Sequence, residues 1–506
     1  MLRNDTTAEE EIEQRDRRAP PTPNVMALVV VWCAQEPTRL GEVVVVPPGA
    51  SSEPRVLGRG PADGSDQRPR LDFARHAPGK VKLSTPLSIH SVSRSQLLIR
   101  AIGDETLEVK NVGRAELDYN GTSRSLCHVE PGSTLQIGRQ LLLLCVRRPA
   151  WLPADPTLKD HHSFGGADAD GLVGESAPLW ELRRTLAFVA SRPDHVLIHG
   201  PTGTGKELVA RAIHARSSRS KGGLVARNAA TIPETLVDAE LFGNEKNYPN
   251  PGMADRPGLI GEADGGTLFL DEFGELGSAA EAHLLRVLDE GEYQRLGEAK
   301  SRRSNFRLIA ATNRSAAALK PDLAARLTLR IETPDLNERR EDVPLLVVHL
   351  LRKMAAADKS IAARFFRDGN AEGEPRISLE LMRALVTHRY SGNVRELHAL
   401  LLEAIGRSEG DEPPPLSPAS IPVDPTGSTV RPILHEIAKA ESPGKEPSDP
   451  PVPPPNLTAE KVQASLDANN GALERTWRAL GLPNRHALRR LIQKHRLEVR
   501  KRPKAS

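Results

Sequence analysis

Residues 25–149 alternate short apolar runs with turn-forming residues. Leu28–Trp32, Val43–Val46, Leu97–Ile99, Leu107–Val109 and Leu135–Val146 are rich in Val, Ile and Leu, and Gly, Pro, Asn and Asp separate them. Short runs so punctuated predict an all-β sandwich. The pattern changes at residue 171. Val196–Ile198, Leu224–Ala226, Thr267–Leu270 and Leu308–Ala311 read as buried strands, each divided from the next by helical periodicity. Strand–helix alternation predicts an α/β domain over 171–405, with a parallel sheet covered by helices on both faces. From 345 to 405 the period is helical only, which predicts a small α-helical lid. After Leu457 a helical pattern returns: one helix from a Thr458 cap through Asn469, a second over Ala472–Leu480, and a third from Asn484 to about His495.

The segments between these blocks carry little apolar patterning. Residues 1–24 are charged and Pro-containing and read as a disordered leader. Residues 150–170 form a linker. Residues 406–456 are crowded with Pro, Ser, Glu and Asp, including two triple-proline runs, and predict a semi-extended tether. A length of 506 residues accommodates three such domains. The net charge of +3 averages out a basic end, Arg500 to Lys504. The three cysteines, Cys33, Cys127 and Cys145, fit no metal-ligand spacing and suit a reducing compartment. No apolar run approaches the ~20 residues of a membrane span, and Val25–Cys33 follows an acidic, Arg-rich leader, as a core strand does and a signal peptide does not. A cytoplasmic location without membrane contact is expected.

Gly200-Pro201-Thr202-Gly203-Thr204-Gly205-Lys206-Glu207 sits between the strand ending at His199 and a helical run from Leu208. Strand, glycine-rich turn and helix make a phosphate-binding loop. Backbone N–H groups converge on one anion, the helix N-terminus adds favourable partial charge, and Lys206 reaches the β- and γ-phosphates. Glu207 stands where many such loops carry a Ser or Thr for magnesium. Gly265 to Glu272 supplies the partner: an apolar strand delivering Asp271 and Glu272 to its C-terminal end. Asp271 is placed to hold magnesium, directly or through water, and Glu272 to polarise the attacking water.

Together with Gly171 to Ser176, Glu240-Leu241-Phe242-Gly243, His283 to Leu288, Ala310 to Asn313 and Gly392-Asn393-Val394-Arg395-Glu396-Leu397, these motifs resemble the AAA+ domain of sigma-54-dependent transcriptional activators over roughly 165–405. A phosphate loop ending in Lys-Glu is usual there. The resemblance implies ATP as ligand and a role for each matching position. Leu172 and Val173 lie in the stretch that lines the adenine site. Asn228 holds the catalytic Glu272. Asn313 is the first sensor and Arg395, on the lid, the second. Arg326 is the arginine finger that reaches a neighbouring subunit's γ-phosphate, and a second family Arg six residues earlier is Lys320. A finger supplied in trans requires a ring, usually a hexamer.

One stretch departs from that family. Its sigma-54 contact loop, Gly-Ala-Phe-Thr-Gly-Ala, corresponds here to Asn247-Tyr248-Pro249-Asn250-Pro251-Gly252-Met253. Two prolines stiffen the loop, and Tyr248 and Met253 offer an apolar contact instead. Either the altered loop still engages sigma-54 RNA polymerase, or the ATPase serves nucleotide-dependent assembly of a DNA-bound regulator or repressor.

In the sandwich, Leu57 to Gly60, Ser93 to Gln96, Asn111 to Gly113 and Asn120-Gly121 resemble a forkhead-associated (FHA) domain. That family binds phosphothreonine peptides, and Arg59, Ser93 and Gln96 mark the corresponding site; a dianionic phosphate suits a guanidinium and a hydroxyl. Gln96 replaces the family's His, and Ala115 its peptide-contacting Asn. The domain reads as a signal input that binds a phosphoprotein, or as a docking or autoinhibitory module. Residues 457–498 resemble a Fis-type helix-turn-helix. Arg485, His486, Arg489, Arg490 and Lys494 cluster on one face of its third helix, suited to the major groove. The whole reads as an ATP-hydrolysing, DNA-binding transcriptional regulator gated by its N-terminal domain.

Overall fold

The computed structural model describes residues 22–48, 53–61, 66–158, 162–248, 250–314, 320–408 and 459–468, with the single positions Thr476, Ala479, Leu480 and Ile492. The chain divides into two units, Met1–Pro432 and Ile433–Ser506. No described helix is long and apolar enough to cross a membrane.

The first unit begins with the expected β-sandwich. One antiparallel sheet runs in the order β5 (Lys80–Leu83), β4 (Ala74–Ala77), β2 (Val43–Val45), β1 (Asn24–Cys33), β12 (Leu141–Pro149), β11 (Thr134–Ile137), β8 (Leu117–Tyr119) and β9 (Thr122–Ser123). The facing sheet runs β10 (Leu126–Val129), β7 (Thr106–Asn111), β6 (Leu97–Ile102) and β3 (Arg55–Leu57). The run Leu135–Val146 is therefore two strands rather than one. Gly138 takes a left-handed φ of 54°, and Leu135 to Ile137 fold back to pair with Leu143 to Leu141.

Side chains alternate across a strand, and in β1 and β12 both faces are buried. Met26, Leu28, Val30, Leu141, Leu143 and Cys145 fill the sandwich core. Val31, Leu142 and Leu144 point the other way, into a core shared with the lid helices through Leu345, Leu346, Met382 and Leu385. Trp32 Nε1 also donates to Ile377 O at 2.8 Å. The sandwich is thus seated on the lid by apolar burial as well as by the linker. All three cysteines are buried and free.

The α/β portion is a five-stranded parallel sheet in the order β14 (Leu224–Asn228), β15 (Thr267–Asp271), β18 (Arg307–Thr312), β13 (Val196–His199), β19 (Leu329–Glu332). Four strands are those expected. The fifth, β19, is a short edge strand whose alternate residues face outward, so its apolar signal is weak. A small hairpin, β16 (Glu292–Tyr293) with β17 (Arg302–Arg303), projects after a helix that spans Ser278–Glu290. The helices are α1 (Ala177–Ala190), α2 (Lys206–Arg216), α3 (Val237–Phe242), α4 (Gly258–Glu262), α5 (Ser278–Glu290) and α6 (Pro321–Arg326). A hinge, Leu336–Asp342, leads to the lid helices α7 (Val343–Ala357), α8 (Lys359–Phe365), α9 (Leu379–Thr387) and α10 (Asn393–Arg407).

In the second unit, α11 (Ala459–Ala468) matches the first helix expected there and buries Val462 and Leu466. The leader over residues 1–21, most of the tether, and nearly all of the second and third expected helices lie outside the described residues.

The candidate nucleotide site

The phosphate loop joins β13, near the middle of the sheet, to the N-terminus of α2. Its glycines are demanded by close approach. A Cβ on Gly200 would lie 2.0 Å from Thr333 Oγ1, and one on Gly203, where φ is +80°, would lie 2.1 Å from Gly392 O. The second contact is with the lid, so the loop and the lid touch directly. Lys206 is buried, and its Nζ donates to Gly200 O at 2.9 Å and Pro201 O at 3.2 Å. Burial pushes its ammonium group below the usual lysine range, while the nearby Glu272 and Asp271 pull it back up. The cation of the loop therefore lies near enough to the acidic pair to feel its charge. Thr204 Oγ1 lies 2.7 Å from Thr333 Oγ1, tying the loop to the end of β19. Glu207 is turned outward along α2, where it pairs with Arg211 at 2.7 Å, one helical turn on.

Asp271 ends β15, and Glu272 follows it in a left-handed conformation with φ +50°. Its N–H donates to Asp271 Oδ1 at 2.9 Å. A non-glycine residue held there stores about 1 kcal/mol or more. Asn228 ends the neighbouring β14 in register with Asp271. Its Oδ1 accepts the Ala230 N–H at 2.9 Å. Asn313 Nδ2 reaches Thr202 Oγ1 at 3.3 Å, which brings the expected first sensor to the loop.

From the lid, Val394 N donates to Gly203 O at 3.0 Å and Asn393 Nδ2 to Thr202 O at 3.1 Å. Asn393 is fully buried with φ +54°, and its Oδ1 accepts the Leu336 N–H of the hinge at 2.7 Å. The sequence places this residue within the lid motif but assigns it no role; Asn is among the non-glycine residues that adopt a positive φ most readily. Arg395, next along, is exposed beside the loop. Glu396 accepts the Ser391 and Gly392 N–H groups at 2.7 and 2.6 Å and lies 2.9 Å from His388 Nε2, so it fixes the start of α10.

On the side expected for adenine, Leu172 and Val173 are both buried. Leu172 packs into the core of the sheet and Val173 into the core of the lid, so this segment bridges the two bodies that must close on a nucleotide. Arg326 lies at the end of α6, half exposed, with Nε 2.5 Å from Asp289 Oδ1 of the same chain; Lys320 pairs with Glu281 at 3.3 Å.

Two further expected sites lie elsewhere. The altered loop is a compact turn. Asn244, 2% exposed, donates from Nδ2 to Glu245 O, Tyr248 O and Ala254 O, and Asn247 Oδ1 accepts the Gly252 N–H at 2.9 Å. The Tyr248 ring lies against Gly297 of the β16–β17 hairpin, where a Cβ would come within 2.5 Å of it. Tyr248 and Met253 remain substantially exposed, as does Asn250, and Pro249 lies outside the described residues. On the sandwich, Arg59 N donates to Ser93 O at 3.1 Å, which brings the two residues together, and Ser93 Oγ accepts the Arg114 N–H at 2.9 Å. The Arg59 Nε is buried without a partner. Gln96 is fully buried: its amide holds Ser93 N, Asn111 Oδ1 and Ala115 O, so it braces the loops from beneath and presents nothing to a ligand. Arg70, which the motifs did not mark, clamps the same loop through Gly58 O, Gly60 O and Arg94 O. Arg485, His486, Arg489, Arg490 and Lys494 lie outside the described residues.

Residues 172–335 match the sigma-54 interaction domain family and residues 337–413 the AAA+ ATPase lid domain family. The transcriptional regulatory protein ZraR of Escherichia coli (strain K12) is 36% identical over 334 residues, covering 63% of this chain and 68% of that protein. The DNA-binding transcriptional regulator NtrC of Azospirillum brasilense is 40% identical over 261 residues, 50% of each chain. A crystal structure of NtrX from Brucella abortus in complex with ADP is 29% identical, covers 65% of this chain and 69% of that chain, and superposes with a TM-score of 0.44. The matched segments hold the phosphate loop, the Asp271–Glu272 pair, Asn313 and the lid motif at Asn393. The chain belongs to the sigma-54-dependent transcriptional regulators and carries their AAA+ domain, an ATPase.

Proposed function

We propose that the protein is a cytoplasmic, DNA-bound activator that hydrolyses ATP to remodel sigma-54 RNA polymerase so that its promoter opens. The observation that carries this reading is the convergence of Lys206, Asp271, Glu272 and the lid residues Asn393 and Arg395 on one loop, in a chain of this family. Asp271, at the strand end beside Lys206, fits a magnesium ion held with the phosphate oxygens; the ion would neutralise charge on the transferring phosphoryl group. Glu272 orients the attacking water. Asn228, one strand away, exchanges its Ala230 contact for Glu272 as nucleotide state changes. Arg326 leaves Asp289 for the γ-phosphate of a neighbouring subunit, which makes the working assembly a ring, a hexamer by family analogy. A trans arginine of this kind contributes on the order of 10³–10⁵ in rate.

The altered loop is the polymerase contact. Its turn is braced by Asn244 and leaves Tyr248 and Met253 outward. The sandwich is an FHA-type input that takes a phosphothreonine peptide through Arg59 and Ser93. Ser93 Oγ already accepts a backbone N–H, so its own hydrogen is the group left to donate. The C-terminal unit binds DNA upstream of the promoter through a Fis-type helix-turn-helix.

The test is open-complex formation with sigma-54 polymerase, promoter DNA and the intact protein. ATP-dependent opening is expected. Full ATP turnover without opening overturns the proposal in favour of an ATPase that drives assembly of a DNA-bound regulator.

A further inference from the structure

The last strand of the sandwich reaches into the ATPase. Arg148, on β12, is only 3% exposed, and its Nη1 donates to Glu341 Oε2 at 3.1 Å. Glu341, also buried, belongs to the hinge Leu336–Asp342 between sheet and lid. Its neighbour Asp342, 1% exposed, accepts three hydrogen bonds from the segment that follows Leu172 and Val173: Glu175 N at 2.7 Å, Ser176 N at 2.9 Å and Ser176 Oγ at 2.5 Å. The fit is close, since a Cβ on Gly174 would lie 2.5 Å from Asp342 Cγ. At its other end the hinge donates Leu336 N–H to Asn393, whose amide holds the phosphate loop at Thr202. One seven-residue hinge therefore grips both sides of the nucleotide cleft.

Glu341 and Asp342 are adjacent buried carboxyl groups. Burial pushes both up, and each has a cation working against it: Arg148 for Glu341, and Arg339 of the hinge itself for Asp342. Arg339 comes from the ATPase, whereas Arg148 comes from outside it.

We propose that Arg148 is a positioning residue for nucleotide binding: through Glu341 it sets the hinge so that Asp342 holds residues 174–176 in the binding geometry, and the sandwich thereby tunes the ATPase's affinity for nucleotide. This rests on the ATPase activity alone and is independent of what the sandwich binds or whether the altered loop meets sigma-54. A contact broken by movement of the sandwich would change affinity without any change in the catalytic residues.

The experiment uses the full-length chain and measures the Kd of a fluorescent ADP analogue together with KM and kcat for ATP. Arg148→Met is expected to raise Kd and KM about tenfold, a typical coupling between sites, with kcat within about twofold of wild type. Arg148→Lys, which keeps the charge, restores most of the affinity. In the double variant Arg148→Met with Glu341→Gln, no charge is stranded, so the melting temperature recovers while affinity stays low. Should Arg148→Met fail to fold, Glu341→Gln alone gives the reading through its Kd. A lowered melting temperature with unchanged Kd and KM, or a double variant with wild-type affinity, overturns the proposal by showing that Arg148 only neutralises a buried charge.

Discussion

Glu396 shows how a residue of the lid motif is tuned. Burial alone would raise its carboxyl, but hydrogen bonds from His388, the Gly392 N–H and Ser391 outweigh that and hold it down from 4.5 to about 2. A drop of that size is worth about 3 kcal/mol, at about 1.4 kcal/mol per pH unit. Because the folded value lies below the unfolded one, this stability is present above about pH 4.5 and is lost as pH falls toward 2. Glu396→Gln should cost about that much at pH 7, and the gap from wild type should close between pH 4.5 and 2 in denaturant titrations; a gap independent of pH would show that the charge is not what holds the turn. Glu396 lies within a motif legible in the sequence, as do Lys206, Asp271, Glu272 and Arg395. Asn393, Asp342 and Arg148 were not legible as working residues. Their partners lie 191, 166 and 193 positions away, and nothing local marks such pairings. Gln96 shows the converse: its match to the family's His position suggested ligand contact, whereas it is fully buried and holds the Ser93 N–H.

Among the elements, the strands with strong apolar runs were legible and the weakly patterned ones were not. The three inner strands of the parallel sheet, β15, β18 and β13, are largely apolar buried segments, as strands covered on both faces must be. Edge strand β19 and the β16–β17 hairpin carry exposed charged residues and gave no such signal. The loop of residues 247–253 was read as altered chemistry on a family position, and its fold adds how it is held. Asn244 supplies from one amide the hydrogen bonds that close the turn. Replacing it with Ala removes these donated hydrogen bonds, each worth about 0.5–1.5 kcal/mol net. The expected outcome for Asn244→Ala is a melting temperature lowered by several degrees with ATP turnover within about twofold of wild type, since an amide bond network of this size carries stability rather than chemistry. A loss of turnover as large as that of a phosphate-loop variant would place the loop inside the catalytic unit.

At the scale of the molecule, the order of all-β region, α/β domain and helical lid was legible from periodicity, and the docking of the sandwich on the lid was not. The signal was present, however. β1 and β12 are apolar on both faces, whereas a free sandwich leaves one face of each sheet wet. Val31, Leu142 and Leu144 are the residues that would otherwise face water, and the lid covers them. The first unit is therefore a β-sandwich, a lid and an α/β domain joined by buried contacts, and the proposed function passes through ATP hydrolysis by that α/β domain. The most direct test is ATP binding and turnover by the intact chain with Glu272→Ala. The account predicts that this variant binds ATP within about threefold of wild type while kcat falls by ~10²-fold or more, the usual loss when a positioned general base is removed. Normal hydrolysis by Glu272→Ala would contradict it.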